Sequence, residues 1–133
     1  MIRMDVLDWL GEAKEELRTA EQLYELGRYA HSCFHAQQAA EKAFKALIIY
    51  VKRFIHRSHD LVELYSEVKD VLHLNPSVES NIPELSAYYI QSRYPNAGLR
   101  RPSLEIGREQ AKRSLDAARG VIDATDKFVT SKV

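Results

Sequence analysis

The sequence predicts an all-α protein, an up-and-down antiparallel helical bundle with one additional short helix. Apolar side chains recur at three- and four-residue steps through several long stretches, the period of a helix that buries one stripe. Helix breakers, among them Gly27, Pro76, Pro95, Gly98 and Pro102, fall between those stretches. No segment carries the strict alternation of a half-buried strand, and no long internal repeat is visible.

Val6, Leu10, Ala13, Leu17, Ala20 and Tyr24 form the first stripe, predicting a helix over residues 4–26 with Gly27 as its stop. After a tight corner, Ala30, Cys33, Phe34, Gln37, Ala40, Glu41, Phe44, Leu47, Ile48 and Val51 form a second stripe. Beside it runs a face of small residues, Ala36, Ala39, Ala43 and Ala46, so this helix is expected to be buried on more than one side. It belongs either at the centre of the bundle or with one face against a second subunit. A third helix is expected over residues 59–73, capped by Ser58, with Leu61, Leu64, Val68 and Val71 in phase. Pro83 is suited to the first turn of a short helix, "PELSAYYIQS", whose apolar side is Leu85, Tyr88, Tyr89 and Ile90, and residues 93–103 read as a loop. Ser103 is placed to cap a last long helix with Leu104, Ala111, Leu115, Ala118, Ile122 and Val129 in register.

A chain of 133 residues suits one domain, 1–133, able to bury a core without disulfides or metal. The longest apolar run, "ALIIYV", is far below the roughly 20 residues a membrane helix needs. The N-terminal stretch is acidic and amphipathic where a signal peptide would be basic and then apolar, so a cytoplasmic location is expected. Cys33 is the only cysteine, which leaves no intrachain disulfide and no cysteine-cluster metal site. His31 and His35 stand one helical turn apart with no third ligand in register, too few for a catalytic zinc site. No Gly-rich phosphate loop or nucleophile elbow occurs, so neither a cofactor nor a catalytic residue is assigned.

Charge is unevenly spread although the formal net charge is zero. The first helix is acidic, whereas Lys42 to His59 and Leu85 to Leu104 contain no acid. Either the basic segments pair with the first helix or they form an anion-binding surface.

The stretches "YAHSCFHAQQAAEKAFKALI", "HDL" and "SRYP" resemble the HEPN domain family (higher eukaryotes and prokaryotes nucleotide-binding), over nearly the whole chain. The resemblance implies a helical bundle, usually a homodimer, that binds nucleotide and acts with a separately encoded minimal nucleotidyltransferase. Some members resemble metal-independent ribonucleases, including toxins of toxin-antitoxin pairs, with an Arg and a His near the start of the last long helix. No His follows His73 here, so that pattern is missing. Arg53 with His59, and Arg28 with His35, have acceptable spacings but lie elsewhere in the chain. A purely structural, partner-binding bundle is the remaining reading.

On a helical wheel Gln37 and Glu41 fall among Phe34, Phe44 and Ile48, away from a solvated arc carrying Gln38, Lys42 and Lys45. A buried Glu must be paired, and Arg93 and His59 are the expected partners. Glu41 then either fixes helix register or lines a cleft with Gln37. Arg93 and Tyr94 precede a proline, so their side chains can project from a helix end. A guanidinium there can grip phosphate in two hydrogen bonds and Tyr94 can stack on a base. The candidate ligand-binding residues are therefore Arg93, Tyr94, His59, Gln37, Glu41, Lys42 and Lys45, for a nucleotide or an RNA end.

Overall fold

A computed structural model of the protein describes residues 3–131, which form six helices and no strand. They are α1 (Met4–Glu25), α2 (Tyr29–Lys52), α3 (Leu61–Val68), α4 (Pro76–Gln91), α5 (Pro102–Glu105) and α6 (Arg108–Ser131). Among the described residues no helix is long and apolar enough to cross a membrane.

The four long helices are the bundle. Ser32 Oγ donates to the Ala20 carbonyl at 2.7 Å, tying α2 to α1 just beyond their corner, where Gly27 takes a φ of 75°. Arg119 bonds Glu21 at 2.7 Å and Lys14 reaches Asp126 at 3.2 Å, which sets α6 antiparallel to α1. Arg113 grips Glu84 in two hydrogen bonds of 2.9 and 3.0 Å, and Val78 packs on Gly120, so α4 also runs against α6.

α2 is the hub, in contact with each of the other five helices. Its alanine face and most of its stripe are buried within the chain itself, from Ala36 and Ala39 to Ala46 and Ile49, with Phe34 part-buried and Val51 exposed at its end. Of the two expectations for this helix, the structure takes the first: the small-residue face is covered by the chain's own helices rather than held open for a second subunit. The small side chains let neighbouring backbones come close, and Phe44, Leu47 and Ile48 fill the space between.

Three boundaries differ from the expectations. The third helix is cut to eight residues at both ends: Asp60, not Ser58, is its N-cap, accepting from the Val62 N–H at 2.9 Å, and the chain leaves the helix after Val68, five residues before the expected end. Ser58 instead accepts from the Asp60 N–H and donates to Glu63, shaping the turn before it. The next helix starts at Pro76 rather than Pro83: Asn75 caps it, Pro76 fills the first turn, and Pro83 sits in its interior. Packing of Ile82 and Leu85 offsets the one backbone bond Pro83 cannot make. The short helices beside the four long ones are thus α3 and α5, and the Tyr-rich segment is part of the long α4. Finally, Ser103 and Leu104 belong to the four-residue α5, and α6 begins only after Gly107, whose N–H donates to Gln110 at 2.7 Å. Leu104 is accordingly 70% exposed and outside the core.

Candidate functional site

The polar residues of α2 that interrupt its apolar stripe converge on Glu41. Its side chain is almost fully buried and accepts from Lys45 Nζ at 3.0 Å and from His59 Nδ1 at 3.0 and 3.1 Å. Gln37 Nε2 adds a longer contact at 3.3 Å and donates to the His59 carbonyl at 3.0 Å. Gln38 Nε2 closes the group by donating to Gln37 Oε1 at 2.8 Å. Gln37 therefore clamps the backbone at His59 while Glu41 holds its ring, and together they seat the chain entering α3.

Of the two expected partners of Glu41, His59 is the one found. A carboxylate only accepts, so His59 presents Nδ1–H inward, which turns Nε2 away from Glu41. The ring is half exposed and lies flat on Tyr89, centroids 4.3 Å apart and planes 11° apart.

Lys45 is a correction to the helical wheel. It is 5% exposed, not on the solvated arc, because α1 crosses over it and brings the Trp9 ring 5.8 Å from its Nζ. Lys42 is half-buried and pairs with Glu16 of α1 at 3.1 Å. Glu16 also accepts from His35 at 2.9 Å. Burial raises its pKa, but the hydrogen bonds from His35 and Lys42 outweigh that effect and hold the carboxyl below the usual glutamate value. The first basic segment is thus partly neutralised by the acidic first helix.

The second basic segment is not. Arg93 lies just past the end of α4, where Nε donates to the Tyr89 carbonyl at 2.7 Å. Its guanidinium carbon lies 4.6 Å from the Phe34 ring centre, 4.7 Å from Tyr89 and 4.9 Å from Tyr94. No carboxylate pairs with Arg93, Arg100 or Arg101 among the described residues. The turn that follows is set by Asn96 and Gly98, both at positive φ, and a Cβ on Gly98 would meet the Gln91 side chain at 2.6 Å.

The structure thus joins His59 and Arg93 through one ring, Tyr89, with Phe34 and Tyr94 beside it. Gln37, Glu41 and Lys45 stand behind this surface as its support, and Lys42 lies toward α1. Phe34 and Tyr89 are functional candidates that the sequence reading left as core. Their signal was the spacing of Tyr89 and Arg93 by one helical turn. His31 and His35 diverge, His35 to Glu16 and His31 to a cleft it shares with Arg93. Neither Arg28 nor Arg53 bonds the histidine it was matched with, and Arg53 instead ends α2 in a left-handed turn at φ 61°.

Similarity to known proteins follows the same elements. The crystal structure of TT1696 from Thermus thermophilus has a TM-score of 0.84 at 30% identity, covering 96% of this chain and 99% of that one. That of ST0689, an archaeal HEPN homologue, has a TM-score of 0.76 at 24% identity over 93% and 97% of the two chains, a likeness of fold. Putative toxin MJ1304 of Methanocaldococcus jannaschii is 28% identical over 93% of this chain and 88% of its own. The HEPN domain profile matches residues 6–128, from the first buried valine of α1 into the last turns of α6. An all-helical bundle, relatives of matching length and a profile match across almost every described residue lead to one conclusion: the chain belongs to the HEPN domain family.

Proposed function

We propose that the protein binds a nucleotide or an RNA end on the surface formed by Arg93, Tyr94, Tyr89 and His59, and that it does so as a homodimer acting with a separately encoded minimal nucleotidyltransferase. The observation that carries the reading is the state of Arg93. Three aromatic rings hold the guanidinium and Nε is bonded, while its Nη groups make no hydrogen bond among the described residues. A planar cation fixed in this way is prepared to take phosphate oxygens in a bidentate grip, and exposed Tyr94 offers a face for a base. Buried Gln37, Glu41 and Lys45 keep His59 and Tyr89 in place rather than touching ligand. The homodimer rests on the apolar side chains left outside, such as Met4, Leu7, Ile90 and Leu104, since α2 has no open face. Calorimetric titration of a nucleotide panel against wild type and Arg93→Lys tests the binding. Lysine keeps the charge but not the planar donor, so affinity should fall with little change in melting temperature. Equal affinity for the two proteins would remove Arg93 from the ligand.

A second reading, a ribonuclease toxin, draws on His59. Its ring is oriented by Glu41, as a general base requires, and Arg93 contacts the same Tyr89. The name of the Methanocaldococcus relative is in keeping with it. Metal-free cleavage of RNA that is lost in His59→Ala would support this reading, and wild-type protein inert toward RNA would end it.

A further inference from the structure

Arg93 also lines a cleft of about 290 Å³ between the first turn of α2, the end of α4 and the start of α5. Its polar lining is His31, Ser92, Arg93, Arg101 and Ser103, with Pro95 at one edge, and no carboxylate of the described residues lines it. Ser92 is spent, since its hydroxyl donates to the Tyr88 carbonyl. His31, Arg101 and Ser103 have exposed side chains that form no hydrogen bond or ion pair among the described residues. Glu105 is the acid nearest to Arg101 in the chain, and it accepts the Arg101 backbone N–H at 2.6 Å without pairing with the guanidinium. Two arginines, a histidine and a serine therefore line one open cleft, with no carboxylate among its lining residues to neutralise them.

We propose that this cleft is a phosphomonoester site, taking the terminal phosphate of a nucleotide or of an RNA end. The identity of the rest of the ligand depends on the nucleotide reading above. Charge favours a terminal phosphate over an internal one: a monoester carries close to two negative charges at neutral pH and a diester one. Size permits this, because a cleft of about 290 Å³ has room for a phosphate and the sugar that carries it, with the base at its rim. There the exposed Tyr94 ring, 4.9 Å from the Arg93 guanidinium, is within reach of a base. Arg93 then serves both halves of the site, stacked in the aromatic cluster and lining the cleft.

The test is equilibrium binding of AMP, adenosine and inorganic phosphate to the full chain, in wild type, Arg101→Gln and His31→Gln. Both substitutions are on exposed side chains outside the aromatic cluster, and circular dichroism verifies that the variants fold. AMP should bind about tenfold or more tighter than adenosine, the scale of one charge-assisted contact. Inorganic phosphate should compete with AMP, and Arg101→Gln should reduce AMP to the adenosine level without changing adenosine. Equal binding of AMP and adenosine would overturn the phosphate cleft, and with it the phosphate grip given to Arg93, leaving only recognition of the nucleoside. A preference for AMP that neither variant reduces would place the phosphate outside the cleft, overturning the cleft while the nucleotide reading on Arg93 stands. Phosphate binding that Arg101→Gln abolishes, in a protein that ignores adenosine and AMP alike, would mean a site for the free anion only and would overturn both the phosphomonoester assignment and the nucleotide reading. Failure of all three probes would sink both.

Discussion

Glu41 and Lys45 form an ion pair at 3.0 Å, one helical turn apart in α2, with both side chains less than a tenth exposed. Glu41→Ala strands a buried ammonium and frees His59 and Gln37, and should cost about 3 to 5 kcal/mol. Lys45→Ala leaves Glu41 its imidazole and amide donors and should cost about 1 to 3 kcal/mol. Lys42→Ala, at a partly solvated pair, should cost less than about 1 kcal/mol. Urea unfolding of the three variants checks the order, and a Glu41→Ala midpoint equal to that of Lys42→Ala would contradict it.

Two helical glycines should respond to alanine in opposite directions. At Gly11, on the exposed side of α1, an added Cβ meets nothing within 4 Å, so Gly11→Ala should stabilise by about 0.5 to 1 kcal/mol. At Gly120 the same atom would lie 2.4 Å from a Val78 methyl, and the crowding between α4 and α6 should outweigh the propensity gain. Thermal melts should show Gly120→Ala below wild type and Gly120→Ala/Val78→Ala partly recovered.

Acid should weaken the fold through Glu16 and Glu84. Hydrogen bonds from His35 and Lys42 lower Glu16 despite the opposing effect of burial, which is larger than any one of them, and Arg113 lowers Glu84. A carboxyl lowered in the folded state stabilises it above the ordinary value near 4.5, and that contribution is lost as pH falls through the folded value. Stability measured from pH 6 to pH 3 should therefore drop, and the drop should shrink in Glu16→Gln, where there is no proton to take up.

Cys33 should be inert in the folded protein. Burial pushes its thiol up to about 11, although Ser114 Oγ bonds the sulfur at 3.4 Å. Alkylation by iodoacetamide at pH 8 should follow global unfolding and accelerate with denaturant. Rapid labelling in native buffer would mean that the α2–α6 contact opens locally.

Much of the fold was legible because the hydrophobic period is a property of each helix alone. The stripes of α1 and α2 place Val6, Leu10, Phe44 and Leu47 in the core, and Gly27 marks the corner between them. Burial of Gln37 and Glu41 was readable from the same wheel. Lys45 was misplaced because burial of a lysine depends on what crosses over it, here Trp9 of α1, and only the four-residue step from Glu41 hinted at the pair. The start of α4 was missed for a related reason. Pro83 is a poor interior residue by local preference, and only the packing of Ile82 and Leu85 against the bundle keeps it helical. The site itself needed three dimensions, since His59, Tyr89 and Arg93 meet only when α3 and α4 are folded back on α2.

The central position of α2 also imposes an order on assembly. α1 and α2 are joined by a three-residue corner, so their contacts close a short loop and can form as soon as both have left the ribosome. The face of α2 that rests on α6 has no such neighbour at hand. Its partner lies beyond α3, α4 and α5, beginning at Arg108, and is made after all five of the helices that precede it. Until α6 arrives, the nascent bundle exposes an alanine-rich apolar flank to the cell, and this is the interval in which the chain is most open to aggregation or capture by a chaperone.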